Sequence, residues 1–334
     1  MYAVFAVCLP LITLSSCGGD GNTSAVKFAN SLANLATKLD NGTQLFLKIT
    51  SDATCEVVPC PEGQGNYAGE IVIPESIDYR GKIYTISSIG DRAFYGSPEL
   101  IAVCIPTTVQ WIGQKAFGEC PRLTRVVLPD GVREVCFRAF FCCTSLESVA
   151  LPSSVQEIGK EAFMGCKKLT NISLPENLRI IGASAFQECA ELKTVHFPEV
   201  MTEIGDDAFH GCSSLVFMTF PKNLLVINRW TFAGCSSLTL AEIPDGVIGI
   251  GDCAFRDCAN LQSLVMPKSM RTVGRMAFRD CPKLKYISVD AENPPALQEN
   301  TFVKCEATVY VPKAKLAAYR GAKHWTAFKN VKGN

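Results

Sequence analysis

Hydrophobic and polar positions repeat along most of the chain with one fixed period, the interval that separates Phe94 from Phe117. Counted from a phenylalanine at position 0, cysteine occupies position 3, leucine 6, apolar residues 9 and 11, proline 12, isoleucine or valine 18, and most often glycine 19. A fixed period of this length is typical of repeat architectures, in which each unit is one coil that packs on its neighbours. The phenylalanines are Phe94, Phe117, Phe140, Phe163, Phe186, Phe209, Phe232, Phe255 and Phe278, with Phe302 one residue late.

Each repeat predicts one short strand. Positions 8 to 11 alternate, so that positions 9 and 11 are expected in the core and positions 8 and 10 outside. Proline at position 12 lacks an N–H and ends the strand, and the endings from Pro74 to Pro312 predict eleven strands. Glycine at position 19 predicts a turn with positive φ, for which Asn228 is a tolerated replacement and Cys136 predicts a distortion. The glycines are Gly113, Gly159, Gly182, Gly205, Gly251 and Gly274.

The unit CxxLxxVxLPxxVxxIGxxAFxx resembles the leucine-rich repeat of BspA-like surface proteins, also called the Treponema-type repeat. The resemblance runs from about Tyr67 to the C-terminus. It implies an α/β repeat solenoid that is mostly β, with a right-handed course, a parallel sheet on the concave face and a cap at each end.

The segments outside the repeat complete this domain plan. Apolar residues at helical spacing predict a helix over 25–39, Thr43–Val58 predicts strands, and Glu75–Ile83 predicts a hairpin-like insertion. Lys313–Tyr319 predicts a short helix, with Trp325 and Phe328 over the last coil. The predicted segments are a signal peptide at 1–16, a lipidated tether at 17–24, an N-terminal helix and cap strands at 25–66, the solenoid of about ten units at 67–312 and a C-terminal cap at 313–334.

The N-terminal residues contain a candidate export signal. Met1–Ser16 is uncharged and mostly apolar, too short to span a bilayer but long enough for an export signal. The sequence LSSC that ends at Cys17 resembles a bacterial lipoprotein box, which implies lipidation of Cys17, and the Gly18 that follows implies the outer membrane or cell surface. No Lys or Arg precedes Cys17, unlike an ordinary signal peptide, and an apolar strand with a core cysteine is the alternative.

Charge and composition narrow the function. The 32 Lys and Arg residues balance 32 Asp and Glu residues, so the chain lacks the positive field that nucleic acid demands. The 48% of apolar residues excludes a disordered chain. We therefore expect a folded protein with no nucleic-acid partner.

The 17 cysteines raise the question of metal or redox chemistry. The fixed repeat length places one thiol per coil in a row, whereas a zinc site needs ligands that converge on one point. We expect the row to be core filler, with no metal and no cofactor. Outside the row, Cys55 and Cys60 are close enough in sequence to form a disulfide, and two free thiols are the alternative.

No catalytic motif is present in the sequence. Serine-hydrolase, zinc-protease, P-loop and dinucleotide-binding signatures do not occur, and His196, His210 and His324 are far apart in the repeat register. The sequence therefore predicts a protein that is not an enzyme.

The outward positions 8 and 10 of the strands are the candidate binding surface. Aromatic and apolar residues there are candidate anchors for a partner, and scattered surface hydrophobes are the alternative. BspA-like proteins are adhesins, so the resemblance implies binding of a host matrix or cell-surface protein, and a glycan-binding or nutrient-capture component of the outer membrane is the alternative. The candidate partner-binding residues are Phe217, Leu240, Tyr286, His196 and Arg125.

Overall fold

The computed structural model describes residues 35–334. Cys17, the predicted signal peptide and tether, and most of the predicted N-terminal helix lie outside the described residues. The described residues belong to one compact unit.

The first described residues form strands. β1 (Leu35–Lys38) pairs antiparallel with β2 (Gln44–Ile49), which pairs antiparallel with β3 (Thr54–Val57). The helix predicted over 25–39 is therefore wrong at its C-terminal end. The reason is the turn at Asn41-Gly42, where Gly42 has φ +85° and Asn41 Oδ1 accepts from the Thr43 N–H at 2.9 Å, which folds β1 back onto β2.

The predicted hairpin-like insertion is confirmed. β5 (Ser76–Tyr79) and β6 (Lys82–Ile89) pair antiparallel around Arg80 and Gly81, which both have positive φ. β6 then runs parallel to β3 and to β8 (Trp111–Ile112). The insertion thus joins the N-terminal strands to the first coils.

One strand per coil forms the face that we call the front face. Parallel pairs link most neighbouring strands. The strand predicted at residues 171–173 is an exception, since these residues form only single bridges to Ala150 and Thr194. An unpredicted last strand at the chain end adds to the sheet. The front strands are β4 (Ala68–Val72), β7 (Glu99–Cys104), β9 (Arg125–Val127), β11 (Ser148–Ala150), β14 (Thr194–His196), β16 (Phe217–Thr219), β18 (Leu240–Glu242), β20 (Ser263–Met266), β22 (Tyr286–Val289), β24 (Thr308–Val311) and β25 (Asn330–Gly333).

A second set of two-residue strands, which we call the back strands, ends at position 18 of each coil, or at position 19 in the longer coil that begins at Phe278. They follow β6 and β8 and also run parallel to one another. The back strands are β10 (Glu134–Val135), β12 (Glu157–Ile158), β13 (Ile180–Ile181), β15 (Glu203–Ile204), β17 (Val226–Ile227), β19 (Gly249–Ile250), β21 (Thr272–Val273) and β23 (Ala296–Leu297).

The repeated phenylalanines form a continuous stack through the core. Ring centroids of successive coils are 5.1 to 5.6 Å apart, and the rings are within 18° of parallel. Tyr67 begins the row, with its ring 4.7 Å from that of Phe94, and Phe302 ends the parallel stack. Aromatic pairs contribute about 0.5–1.5 kcal/mol each beyond the area they bury, so the row ties each coil to the next.

The cysteine row lies beside the phenylalanines and is buried. Each thiol from Cys120 to Cys281 donates to the carbonyl oxygen of the phenylalanine one coil earlier, at 3.0 Å for Cys120 and 3.4 Å for Cys235. Burial raises the pKa of Cys120 and Cys281 to about 12. These thiols are therefore neutral core donors at physiological pH, a role beyond the filler that the sequence indicates.

The position-19 glycines do not adopt positive φ, so that prediction is wrong. Glycine is needed there because the coils approach closely: a β-carbon would lie 2.6 Å from the Lys160 nitrogen at Gly182 and 2.6 Å from the Asp91 nitrogen at Gly113. The N–H of each glycine donates to the carbonyl of the preceding coil, at 2.7 Å from Gly182 to Ile158. The absent side chain thus allows the ladder bond to form.

The C-terminal cap covers the last coil as predicted. A 3₁₀ turn at Lys313–Lys315 leads into α1 (Leu316–Gly321), and a second 3₁₀ turn spans Trp325–Ala327. Trp325 is buried and donates from Nε1 to the Pro295 carbonyl at 2.8 Å. The buried Tyr319 hydroxyl donates to the Ala291 carbonyl at 2.6 Å. The cap thereby shields the apolar end of the core.

Candidate partner-binding face

The front face presents the predicted anchors to solvent. Phe217 is 46% exposed, Leu240 39% and Tyr286 41%, and all three occupy position 8 of their coils. Their neighbours in the strands, Met218, Ala241 and Ile287, are buried. The alternation at positions 8 to 10 therefore sets these side chains on one side of the strands, as the sequence predicts.

The other two candidate residues differ in their relation to this group. The His196 ring centroid lies 6.1 Å from that of Phe217, in a tilted arrangement, because β14 and β16 are paired neighbours. Arg125 is exposed on β9 but is four coils from Phe217, or about 19 Å at the usual strand spacing. The structure thus joins His196 to Phe217 and leaves Arg125 apart.

Phe217 and Leu240 border a discontinuity that we call the seam, the contact of residues 203–219 with residues 226–242. Within the described chain, no strand pairing joins β15 to β17 at the back or β16 to β18 at the front. Between these two gaps, the Phe209 and Phe232 rings are 5.6 Å apart, the widest step of the stack. Backbone bonds such as Phe209 N–H to the Thr231 carbonyl, 2.8 Å, still hold the turn between them.

Side chains that depart from the repeat lie at the seam. Asn228 replaces the position-19 glycine, and its side-chain amide, rather than a glycine N–H, donates to the Ile204 carbonyl at 2.8 Å. Thr231 replaces the alanine before Phe232, and its hydroxyl donates to the Asn228 carbonyl at 2.8 Å. Phe220 sets its ring edge-on to Phe232, 5.5 Å away. Three departures from the repeat thus coincide with the seam.

Cys136 shows the same relation of glycine to the ladder. Among the 23-residue coils, Cys136 and Asn228 are the two residues that replace the position-19 glycine. Within the described chain, no pairing joins β8 to β10 beside Cys136. The predicted distortion at Cys136 therefore takes the form of an interrupted ladder. Gln298, in the coil that is one residue longer, keeps the bond to the Val273 carbonyl at 3.0 Å.

Exposed apolar side chains concentrate on the two coils that begin at Phe209 and Phe232. Positions 16 and 17 are mostly polar in the other coils, with residues such as Arg133 and Glu134. The change to apolar residues in these two coils was the sequence signal for the exposed residues at the back. The exposed apolar residues at the back were not among the predicted binding residues. The six exposed residues are Val216, Phe217 and Leu240 at the front and Leu225, Val226 and Ile248 at the back.

Tyr286 has a partner that the sequence analysis also missed. The Tyr310 ring on β24 lies 4.9 Å from the Tyr286 ring with an interplanar angle of 31°. Tyr286 lies opposite Thr308, and Tyr310 lies opposite Ser288, so the two rings meet diagonally across paired strands. His196 and Phe217 also meet diagonally, in the opposite sense. Reading diagonals as well as columns would have found Tyr310.

The turn edge near the seam is polar and internally paired. Asp207 Oδ1 lies 3.1 Å from His210 Nδ1, and the His210 ring lies 5.5 Å from the Trp230 ring. The Arg256 guanidinium lies 5.3 Å from the centroid of the Trp230 ring, within cation–π range. These residues therefore brace successive coils.

No group of three or more His, Cys, Asp or Glu side chains between residues 35 and 334 is arranged to hold a metal ion. Cys55 is buried and Cys60 half-buried, and both thiols are free, which decides the alternative left open by the sequence. Among the described helices, none is long and apolar enough to cross a bilayer.

Comparisons with known proteins agree with the repeat. The chain is 25% identical to a leucine-rich repeat protein from Bacteroides ovatus, with 87% of this chain and 75% of that chain covered and a TM-score of 0.61. It is also 25% identical to a leucine-rich repeat protein of T. pallidum, over 75% of this chain and 87% of that chain, with a TM-score of 0.41. No curated protein matches the sequence.

The family profile gives the assignment. The profile of the BspA type leucine-rich repeat region, with six copies, matches residues 87–216 and 180–309. These matches extend over residues 87 to 309 of a 334-residue chain, well over half of its length. This scaffold is of a non-enzymatic repeat type and is consistent with a role in protein binding. The chain therefore belongs to the BspA-type leucine-rich repeat family.

Proposed function

We propose that this protein is a lipid-anchored surface adhesin that binds a host matrix or cell-surface protein and performs no catalysis. The observation that carries the proposal is the exposure of Phe217 and Leu240 at the front edge of the seam. Partly exposed aromatic and aliphatic side chains on a rigid sheet serve as anchors that a partner buries. Lipidation at Cys17 would hold the chain at the outer membrane or cell surface.

The charges around these anchors fit a protein partner better than a polyanion. Lys193 lies at position 7 and Glu242 at position 10 of nearby coils, so both signs flank the apolar centre. An apolar centre with a mixed polar rim is the usual anatomy of a protein–protein interface. The formal net charge of zero gives no long-range attraction to anionic polymers.

A second candidate is glycan binding at the tyrosine pair. Tyr286 and Tyr310, with centroids 4.9 Å apart, offer adjacent aromatic faces on which a sugar ring could stack. This site lies two coils beyond Leu240, so variants separate the two candidates.

The test measures binding of the purified chain to immobilised matrix proteins and to a glycan array. We expect the double variant Phe217→Ser, Leu240→Ser to lose at least tenfold in affinity for a matrix protein, since interface anchors contribute about 2 kcal/mol or more. Val127→Ser, at an exposed apolar residue of the front face in a distant coil, is the control and should bind normally.

The outcomes separate the candidates. Retention of full matrix-protein affinity by the folded double variant would place the site elsewhere. Binding to glycans alone, lost on Tyr286→Ala and Tyr310→Ala but not on the double substitution, would replace adhesion to protein with glycan capture. Whole-cell proteinase shaving tests surface display, and a Cys17→Ser variant that stays membrane-bound would contradict the lipid anchor.

A further inference from the structure

A cleft of about 560 Å³ opens between the last repeat coil and the C-terminal cap. Residues 297–306 form one side, and His324 with residues 327–329 forms the other. This volume falls within the range of about 300–1,000 Å³ that small-molecule sites occupy. None of the residues of the proposed partner-binding face lines the cleft, so its role is independent of adhesion.

The cleft contains the end of the phenylalanine stack. Phe302 has a parallel ring, Phe278, on one side at 5.1 Å, and Phe328 meets it edge-on at 5.2 Å. The preceding rings of the stack, from Phe94 to Phe278, are essentially fully buried, whereas Phe302 is only half-buried. Phe302 and Phe328 therefore form an aromatic corner, and the part of the Phe302 ring that is exposed to the cleft is the apolar surface that a ligand ring can contact.

The rim of the cleft is positively charged. Lys304 and Lys329 are exposed, and neither has a carboxylate within ion-pair distance in the part of the chain that the structure describes. The carboxylate of the rim, Glu306, is already within 3.9 Å of the Lys285 ammonium. Burial raises the pKa of Cys305, so its thiol adds no negative charge at neutral pH.

Side-chain amides and a histidine complete the rim. Gln298 and Asn300 offer side-chain amides, and His324 is partly exposed across the cleft from them. The combination of an aromatic corner, two unpaired ammonium groups and amide donors suits a ligand with a ring and a negative charge.

We propose that this cleft binds a small ring-bearing carboxylate, with the ring on Phe302 and the carboxylate between Lys304 and Lys329. The shared chemistry is a ring with an attached carboxylate, which an aromatic acid or the uronic acid of an acidic glycan supplies. The probes for these two sources are benzoate and glucuronate, and benzyl alcohol and glucose are their neutral counterparts.

Isothermal titration of the intact chain with these four probes tests the proposal. A ligand of about nine non-hydrogen atoms is expected to bind with a Kd on the order of 1 mM. We expect at least one acid to bind about tenfold more tightly than its neutral counterpart, and Lys304→Gln or Lys329→Gln to remove most of that preference. Lys268→Gln, an exposed lysine of another coil, is the matched control and should change nothing.

Phe302→Leu separates the ring contact from the charge. It should weaken the bound acid several-fold while the circular dichroism spectrum stays unchanged, since Phe302 ends the stack and is already part-exposed. Binding of benzoate alone assigns the site to aromatic acids, and binding of glucuronate alone assigns it to acidic sugars. If neither acid binds, if the neutral probes bind as tightly, or if both lysine variants behave like wild type, the proposal is wrong.

Discussion

Gly205 lies so close to the preceding coil that a β-carbon on it would come within 2.5 Å of the Ala183 backbone nitrogen. The Gly205 N–H donates to the Ile181 carbonyl at 2.8 Å across the same contact. In the regular coils, the repeated glycine thus permits this close approach. Where Asn228 takes its place, the ladder is interrupted and the seam begins.

Gly205→Ala should therefore destabilise the protein. The added methyl group meets backbone atoms that cannot rotate away, so the coils must separate, at a cost of about 2 kcal/mol. The urea midpoint measured by circular dichroism should fall. Gly321→Ala is the matched control, because no atom lies within 4 Å of the added carbon and the residue is in a helix, and it should be neutral or slightly stabilising. Equal effects of the two substitutions would contradict the close-approach account.

Asn228→Gly should close the back ladder at the seam. Removing the side chain lets the residue 228 N–H donate to Ile204, as glycine does in neighbouring coils, so that amide should become slower to exchange with deuterium. Asn228→Ala, which loses the present 2.8 Å side-chain bond and keeps a β-carbon, should instead lose about 1 kcal/mol of stability. Hydrogen exchange read by mass spectrometry distinguishes the two, and identical behaviour would show that the glycine does not set the ladder.

Alkaline pH should destabilise the fold through the cysteine row. In the unfolded chain a thiol ionises near pH 8.5, whereas the folded pKa of Cys120 and Cys281 is about 12. Between these values the folded state holds more protons than the unfolded state, so the free energy of unfolding falls as pH rises above about 9.

Removing one of these thiols should weaken that pH dependence. Cys120→Ala should reduce the slope by about 1.4 kcal/mol per pH unit between roughly pH 10 and 11, whereas below about pH 8 the two stability curves should run parallel. Urea titrations at several pH values provide the measurement. An unchanged alkaline slope would mean that Cys120 ionises while folded.

The repeat itself could be predicted from the sequence because its side chains are buried at fixed positions. Phe163 and Cys166, for instance, pack identically in a middle coil because the units on either side have the same residues. Because each coil contacts only its neighbours, the residue type at each repeat position follows directly from the burial of that position. The outward exposure of Phe217, Leu240 and Tyr286 followed from the same alternation.

The errors arose where a contact between distant residues overrode a local pattern. Ala36 and Leu39 share helical spacing, yet the turn at Gly42 pairs Ala36 with Phe46 in a strand. Glycine at position 19 suggested a backbone torsion, whereas the requirement comes from the backbone of the preceding coil. The last strand, Asn330–Gly333, has only one repeat-like neighbour and no periodicity to reveal it.

The seam could not be predicted because each departure from the repeat at this place is small. Asn228, Thr231 and Phe220 are each compatible with the repeat when considered alone. They lie where two ladders are interrupted and where the ring stack has its widest step, 5.6 Å. Only their adjacency in space, across successive coils, makes them one feature.

Deletion of one coil tests the central claim most directly, that coils of one fixed length stack by shared core positions. Removing residues 139–161 joins equivalent positions of neighbouring coils, so the shortened protein should give a strand-rich circular dichroism spectrum and a single cooperative unfolding transition. Removing about half a coil, residues 139–149, should misalign the phenylalanine and cysteine rows and cause aggregation. If both deletions fold equally well, or if both aggregate, the coil-stacking account is contradicted.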